Sequence, residues 1–320
     1  MSAPRVAISG ASGYLGQGLA RRCVDSGASV LGFDLREPGE NWPRRASFAR
    51  QDVTEPSLAA RLRAFRPDVL VHLAWVLNPS HSPRREREVD LRGTVNAFRA
   101  AVAAGVRRIV YPSSTTAYGL QPGRRRPYCE EDLPRPNPAF PYADCKAKIE
   151  QWLPGFRGCH PQLDLVVLRA SIVVGPRVDN IVSTMVEGPV MIRVAGYDPP
   201  LQLLHEADAR EVLWRAVVDA PAGVFNVAGG GVMLLSEIAR AAGRTCLPVP
   251  AALLSPLVWL GWRARILPLP PGLLDYIRYP WVADTAKLER EFGFRPRYST
   301  REALAAYLEV RASGRRSSRS

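Results

Sequence analysis

The feature that most restricts this chain is a glycine-spaced turn at its very start. Residues 5–9, Arg-Val-Ala-Ile-Ser, form a short apolar run, and Gly10-Ala11-Ser12-Gly13-Tyr14-Leu15-Gly16 follows at once. A helical pattern then places Leu15, Leu19 and Cys23 on one face. A glycine-rich turn between a strand and a helix is a phosphate cradle: Gly10 permits the sharp turn, Gly13 lets backbone approach a pyrophosphate, and Gly16 lets the helix pack closely on the sheet. The free amides at the helix start, with Tyr14 and Leu15 in the first turn, then face the phosphates.

The rest of the chain alternates in the same way. Strand-like runs at Ser29–Asp34, near Phe48, at Asp68–Leu73, Arg108–Pro112 and Leu163–Leu168 are separated by helical patterns at Ser57–Phe65, about Glu86–Ala104 and Tyr142–Leu153. The expected fold is α/β, a Rossmann-type doubly wound parallel sheet with right-handed crossovers. The expected domain organisation is a dinucleotide-binding unit over residues 1–175, joined by a strand from about 203–230. A smaller, proline-richer substrate-binding region spans mainly 176–310, and a disordered basic tail takes residues 311–320.

Asp34 ends the second strand, 18 residues after Gly16. A carboxylate there accepts hydrogen bonds from both adenosine ribose hydroxyls and repels a 2′-phosphate, which favours NAD over NADP. Arg36 is the one nearby feature that favours NADP. Asp52 and Val53 are placed to cap the adenine, although a surface-turn role fits Asp52 equally well.

Tyr142 and Lys146 stand at i and i+4, on one face of a helix. A phenol with a pKa near 10 is a poor base at neutral pH. A lysine cation one turn away favours the phenolate, which then takes a proton from a substrate hydroxyl as hydride leaves its carbon. Ser114 leaves a strand at the carboxyl edge of the sheet, where its hydroxyl can orient the same oxygen.

Together these residues resemble the extended short-chain dehydrogenase/reductase family, the NAD-dependent sugar epimerase/dehydratase group. His72-Leu73-Ala74-Trp75 resembles the family's HLAA strand, which implies that Leu73 and Ala74 line the cofactor. Asn96 follows Gly93-Thr94 as in its G-T-x-N helix. Ser113–Gly119 resembles its S-S-x-x-V-Y-G segment, and Pro141-Tyr142 to Lys146 matches P-Y-x-x-x-K. Leu168-Arg169 with Val174-Gly175-Pro176, His205–Asp208 and Phe225-Asn226-Val227 resemble later family segments.

The departures are informative. Family dehydratases carry an Asp-Glu pair after the serine or threonine, and decarboxylases carry a Glu at the second position; here Thr115 and Thr116 stand there. Dehydration and decarboxylation are disfavoured, since neither position supplies a carboxylate. Leu201 and Gln202 replace an Arg-Asp pair usual in UDP-sugar epimerases, and their later R-x-G-D contact is absent before Asp284, although Arg278 lies near. Ser114, Thr115 and Asn180 are the expected substrate-side residues, the last by a loose family match.

The expected function is thus an NAD-dependent epimerase acting on a sugar or sugar-like alcohol through a transient keto intermediate, with a nucleotide sugar among the candidate substrates. One alternative is a dehydrogenase or reductase of a keto-sugar or a less polar alcohol, with the apolar segment Leu247–Leu274 lining its pocket; the same segment also fits plain core or an oligomer contact. The other is a dinucleotide-binding regulator without activity, which retention of Tyr142 and Lys146 disfavours. The resemblance also carries an expectation of a homodimer.

Composition removes other classes. The formal net charge is +13, but only three lysines occur, Lys146, Lys148 and Lys287, so the charge reads as a preference for arginine. No nucleic-acid motif accompanies it. The five cysteines are scattered, with no CxxC or Cys/His cluster, so no metal site and no disulfide framework are expected. The amino terminus lacks a signal-peptide pattern, and the most apolar run, Leu247–Leu260, is short and broken by Pro248, Pro250 and Pro256. A cytoplasmic protein without membrane insertion is the expectation.

Overall fold

The computed structural model describes residues 3–77, 81–176, 181–267 and 269–317. Its centre is a parallel sheet of seven strands. Strands β1 (Arg5–Ser9), β2 (Ser29–Asp34), β3 (Ser47–Arg50), β4 (Val69–His72), β5 (Arg108–Ser114) and β6 (Asp164–Ala170) are joined by a seventh at Gly223–Val227. Their spatial order is Gly223–Val227, β6, β5, β4, β1, β2, β3. The order reverses between β1 and β4, and that is where an open α/β sheet offers a crevice at its carboxyl edge.

Side chains alternate across the sheet, and both faces are dry. Val6 and Ile8 of β1 pack with Leu19 and Cys23 of helix α1 (Tyr14–Asp25) and with Val212 and Leu213 of the helix Glu206–Val218. Ala7, between them, faces the opposite layer, with Leu58 and Leu62 of α2 (Ser57–Phe65). Burial on both faces explains why the strand runs are apolar throughout rather than alternating.

The helix expected at about Glu86–Ala104 is three pieces: α3 (Pro83–Arg87), a wider π-helical turn at Glu88–Gly93, and α4 (Thr94–Ala103). The Thr94 hydroxyl donates to the Asp90 carbonyl at 2.6 Å, giving that oxygen a side-chain partner where the turn widens. Helix α5 (Pro141–Cys159) extends beyond the expected Leu153 and through Pro154. Tertiary packing overrides the proline there, since Phe156 lies against Phe98 and Trp152.

The remaining chain builds a second layer from short paired strands: Ile172–Val174 with Leu203–His205, Val190–Val194 with Thr245–Val249, and Pro200–Leu201 with Met233–Leu234. It reaches the carboxyl edge of the sheet through Tyr276, whose hydroxyl donates to the Thr116 carbonyl. The basic tail differs from expectation. The last helix runs Thr300–Ser317, and Arg311 forms an ion pair with Glu187 at 3.1 Å. Continuity with a helix anchored by the buried Ala303, Leu304 and Tyr307 extends helical structure into a segment whose composition suggested none.

One buried hydrogen-bond chain ties the first strand to the π-turn. The Ala74 amide donates to Ser9 Oγ, and Ser9 Oγ lies 2.8 Å from His72 Nδ1. His72 Nε2 lies 3.0 Å from Thr94 Oγ1, which donates to Asp90. Only the neutral ring with its proton on Nε2 satisfies all four groups in sequence. Burial, with the Lys146 charge nearby, pushes the His72 pKa down to about 3. The unfolded ring takes a proton near pH 6.5 and the folded ring refuses it, so this contribution to stability is present above pH 6.5 and is lost as pH falls toward 3. We expect the unfolding free energy to fall by up to about 1.4 kcal/mol per pH unit over that window from this group alone. Urea titrations of wild type and His72→Asn across the window check it; equal slopes would refute the assignment.

Candidate active site

The glycine loop has the shape that the sequence spacing implies. Gly10 takes a positive φ of 67°, and a Cβ there would lie 2.6 Å from the backbone of Leu73 and Ala74. A Cβ on Gly16 would lie 2.5 Å from the Gly10 carbonyl. The loop therefore rests directly on the end of β4, with Leu73 and Ala74 as its floor. Gly13 caps α1 without a side chain, and the first turn of α1 carries no acidic residue. Tyr14 opens the helix and Leu15 packs on the core. This cradle fits the pyrophosphate of a dinucleotide.

Asp34 lies beside it at the end of β2. One carboxylate oxygen accepts from the Ser12 amide at 3.2 Å and the other from the Arg36 amide at 3.1 Å. The carboxylate is thus fixed against the loop, in a position that suits ribose hydroxyls. One Asp52 oxygen accepts from both the amide and the hydroxyl of Thr54, each at 2.8 Å. Val53 is buried, and its carbonyl accepts from Asn96 Nδ2 at 2.7 Å, so Asn96 holds this loop in place.

At the carboxyl end of β5, the Ser114 hydroxyl accepts from the Thr116 amide and lies near enough to the Tyr142 phenol to draw its pKa down. Burial raises the Tyr142 pKa, the neighbouring Ser114 hydroxyl opposes that, and the Asp90 charge adds to it. Lys146 is 2 % exposed. Its ammonium donates to the Pro112 carbonyl at 2.8 Å and lies 3.4 Å from the centre of the Trp75 ring and 5.7 Å from that of Tyr142. Serine, tyrosine and lysine thus converge as the spacing required. Thr115 is buried, with its hydroxyl 3.4 Å from the Ala170 carbonyl. Asn180 lies outside the described residues.

Three residues at the site were not singled out from sequence. Trp75 stands edge-on to Tyr142 and under Lys146. Asp90 is fully buried; one oxygen accepts from the Val76 amide, and the other has no hydrogen-bond partner among the described residues. Burial raises its pKa while Lys146 draws it down, and burial lowers the Lys146 pKa while Asp90 and Glu150 hold it up. The two groups support each other's charge. Glu150 accepts from Ser113 and pairs with Arg169 at 2.6 Å. Arg169 continues to Tyr118, and Tyr118 to Asn226. A signal existed for each acid. Asp90 falls on the stripe Thr94, Ala97, Phe98, Ala101, and Glu150 lies one turn after Lys146, both where an apolar residue is the ordinary choice.

Among the described residues, no group of three or more His, Cys, Asp or Glu side chains could hold a metal, and no helix is long and apolar enough to cross a membrane.

A parallel sheet with a glycine cradle at its switch point, and Ser, Tyr and Lys meeting beside it, defines the short-chain dehydrogenase/reductase class. The chain belongs to the NAD-dependent epimerase/dehydratase family, whose model matches residues 6–228. It is 30% identical over 317 residues to an uncharacterised protein of Mycobacterium tuberculosis (strain H37Rv), covering 96% of this chain and 84% of that one. Its fold is similar to UDP-glucose 4-epimerase of Thermotoga maritima, solved with UDP-glucose, at a TM-score of 0.77 and 21% identity over 97% of this chain and 99% of that one. UDP-glucose 4-epimerase of Thermus thermophilus, solved with NAD, matches with a TM-score of 0.75 and 25% identity over the same shares.

The buried Glu150–Arg169 pair fastens α5 to β5 and β6. Removing one partner strands the other charge, so Glu150→Ala should cost about 3–5 kcal/mol of stability. Guanidinium unfolding of the purified variant measures it, and a loss below about 1 kcal/mol would show that water reaches Arg169.

Proposed function

We propose that the protein is an NAD-dependent epimerase acting on a sugar or sugar-like alcohol through a keto intermediate. The observation that carries this reading is the convergence of three side chains: Ser114 acts on the Tyr142 phenol, and the Lys146 ammonium, one turn along the same helix, lies 5.7 Å from the centre of the Tyr142 ring. The glycine cradle and Asp34 would hold the dinucleotide, Gly10, Gly13 and Gly16 at the pyrophosphate and Asp34 at the ribose. When bound, NAD supplies the acceptor and later the donor of the hydride.

The chain's own residues handle the proton. Ser114 orients the substrate oxygen toward Tyr142. The Tyr142 phenol, kept protonated by burial in the structure described, becomes a base when positive charge accumulates beside it. Lys146 supplies part of that charge, and its own charge is supported by Asp90 and Glu150. After the intermediate turns over, Tyr142 returns the proton to the same oxygen. The second layer, mainly residues 176–310, would form the substrate side.

Epimerisation is favoured over dehydration because Thr115 and Thr116 supply no carboxylate. The Thr115 hydroxyl faces the Ala170 carbonyl, and the Thr116 hydroxyl is buried without a hydrogen-bond partner among the described residues. The nucleotide part of a nucleotide sugar has less support. Leu201 is core, and the Gln202 amide is bonded at both ends to the backbone of Ala283. Those positions brace the second layer. A groove flanked by Trp259 and Trp262 beside Pro141 favours a second reading, a reductase of a less polar alcohol.

Denaturing the purified protein and assaying the released small molecules for NAD tests the cofactor. UDP-glucose and UDP-galactose, followed by a screen of other sugars and small ketones, test the reaction. Interconversion without net NADH supports the epimerase, whereas stoichiometric NADH change supports the reductase. Tyr142→Phe should retain NAD and lose roughly 10²–10⁴-fold in turnover; a near-normal rate would remove the phenol from the mechanism. Asp34→Ala should reduce the preference for NAD over NADP by about tenfold or more, as measured by competitive binding. An unchanged ratio would show that the carboxylate does not meet the ribose.

A further inference from the structure

The helix Ala251–Arg263 is apolar on both sides. Its inward residues Leu254 and Val258 pack on Val194. Its outward residues Leu253, Leu257, Trp259 and Leu260 are each more than half exposed, and Ile266 just beyond is 77% exposed. Leu253, Leu257 and Leu260 recur at i, i+4 and i+7, so they form one stripe rather than scattered exceptions. An exposed apolar stripe of this kind marks a docking surface.

The charge beside the stripe identifies the partner. Arg263 and Arg265 end the helix, and Arg84, Arg85 and Arg87 are exposed on α3. None of these five guanidinium groups has a carboxylate partner among the described residues. Arg265 adopts a positive φ of 60°, a backbone conformation usually left to glycine at a helix end. A groove of about 470 Å³ connects the two elements, lined by His81, Arg87, Arg263, Arg265 and Trp262, and it reaches Pro141, the residue before Tyr142. The His81 ring lies 4.1 Å from that of Trp262, tilted by 38°, which joins the α3 side to the apolar helix. The overall charge of +13 has the same sign.

We infer that this face docks on an anionic lipid bilayer, with the Leu253–Leu257–Leu260 stripe and Trp259 entering the headgroup region and the arginines meeting lipid phosphates. Leucines on one face, with tryptophan and arginine at its flank, is the composition of a helix that lies in an interface. The helix has 13 residues, too few to span the hydrocarbon layer, so it lies on the surface. Pairing of this face with a second copy is opposed by charge, because it would bring two sets of unpaired arginines together. The groove between α3 and this helix then opens toward the membrane. The docking itself does not depend on the role proposed for Tyr142.

Flotation of the full chain with vesicles tests this directly. Phosphatidylcholine vesicles containing phosphatidylglycerol should carry the protein upward, phosphatidylcholine alone should carry it at least about tenfold less, and raised salt should release it. The triple substitution Leu253→Gln, Leu257→Gln, Leu260→Gln, and separately Arg263→Gln with Arg265→Gln, should each reduce binding at least about tenfold. Quenching of wild-type tryptophan fluorescence by brominated lipid gives an answer that needs no variant. Absence of flotation and of quenching at low salt would overturn the proposal. So would binding that the leucine substitutions leave intact. A dimer in solution that the same substitutions dissolve, without vesicle binding, would assign the face to a second copy instead. Loss of NAD from the protein would count against the proposed function and leave the vesicle result standing.

Discussion

An ammonium ion removed from water must be compensated where it is buried, and Lys146 sets that demand at the centre of this protein. The Pro112 carbonyl takes one of its hydrogens, the Trp75 ring lies against it, and two acids on different elements act on its charge. Each of these groups is held in turn. Asp90 is fixed by the Val76 amide, and Glu150 by Arg169 and Ser113. The polar interior is a set of obligations that begins at one nitrogen and ends on β5, β6 and the π-turn before α4. A helix of ordinary pitch through residues 88–93 would present Asp90 differently, so the widened turn belongs to the same arrangement.

The other half of the site depends on the absence of side chains. Gly10 and Gly16 let the loop lie against β4 and let α1 approach the sheet, at distances a single methyl group would forbid. The His72 chain holds the same strand end from beneath, through Ser9 on one side and Thr94 on the other. Cradle and the Tyr142–Lys146 pair thus share one floor, the end of β4 from His72 to Trp75.

Much of this was legible in the sequence. The glycine spacing, Asp34, and the pairing of Tyr142 with Lys146 are local patterns, and backbone geometry converts each directly into a placement. The parallel sheet followed from the alternation of strands and helices. What could not be read is what depends on contacts between distant segments. Nothing near Trp75 says that its indole will support Lys146, far along the chain. The Ala170 carbonyl beside the Thr115 hydroxyl lies 55 residues along the chain, equally out of local view. The helix through Pro154 and the one through Ser317 continue because of packing and inherited helical continuity, neither of which local propensity reports. The outward leucines of Ala251–Arg263 were visible as an apolar segment, and only the fold shows which of them point to solvent.

Helix α5 carries the phenol at 142, the ammonium at 146 and the anchoring carboxylate at 150, one turn apart in steady succession. Reactivity and attachment therefore lie along one generatrix of a single cylinder. Adding or deleting one residue between Pro141 and Glu150 would rotate everything on one side of the change by about 100° relative to the other. Chemistry and foundation could not then both face the sheet. Divergence along this helix is confined to exchanges that preserve its length, whereas the loops around it are free to lengthen and reshape what the enzyme admits.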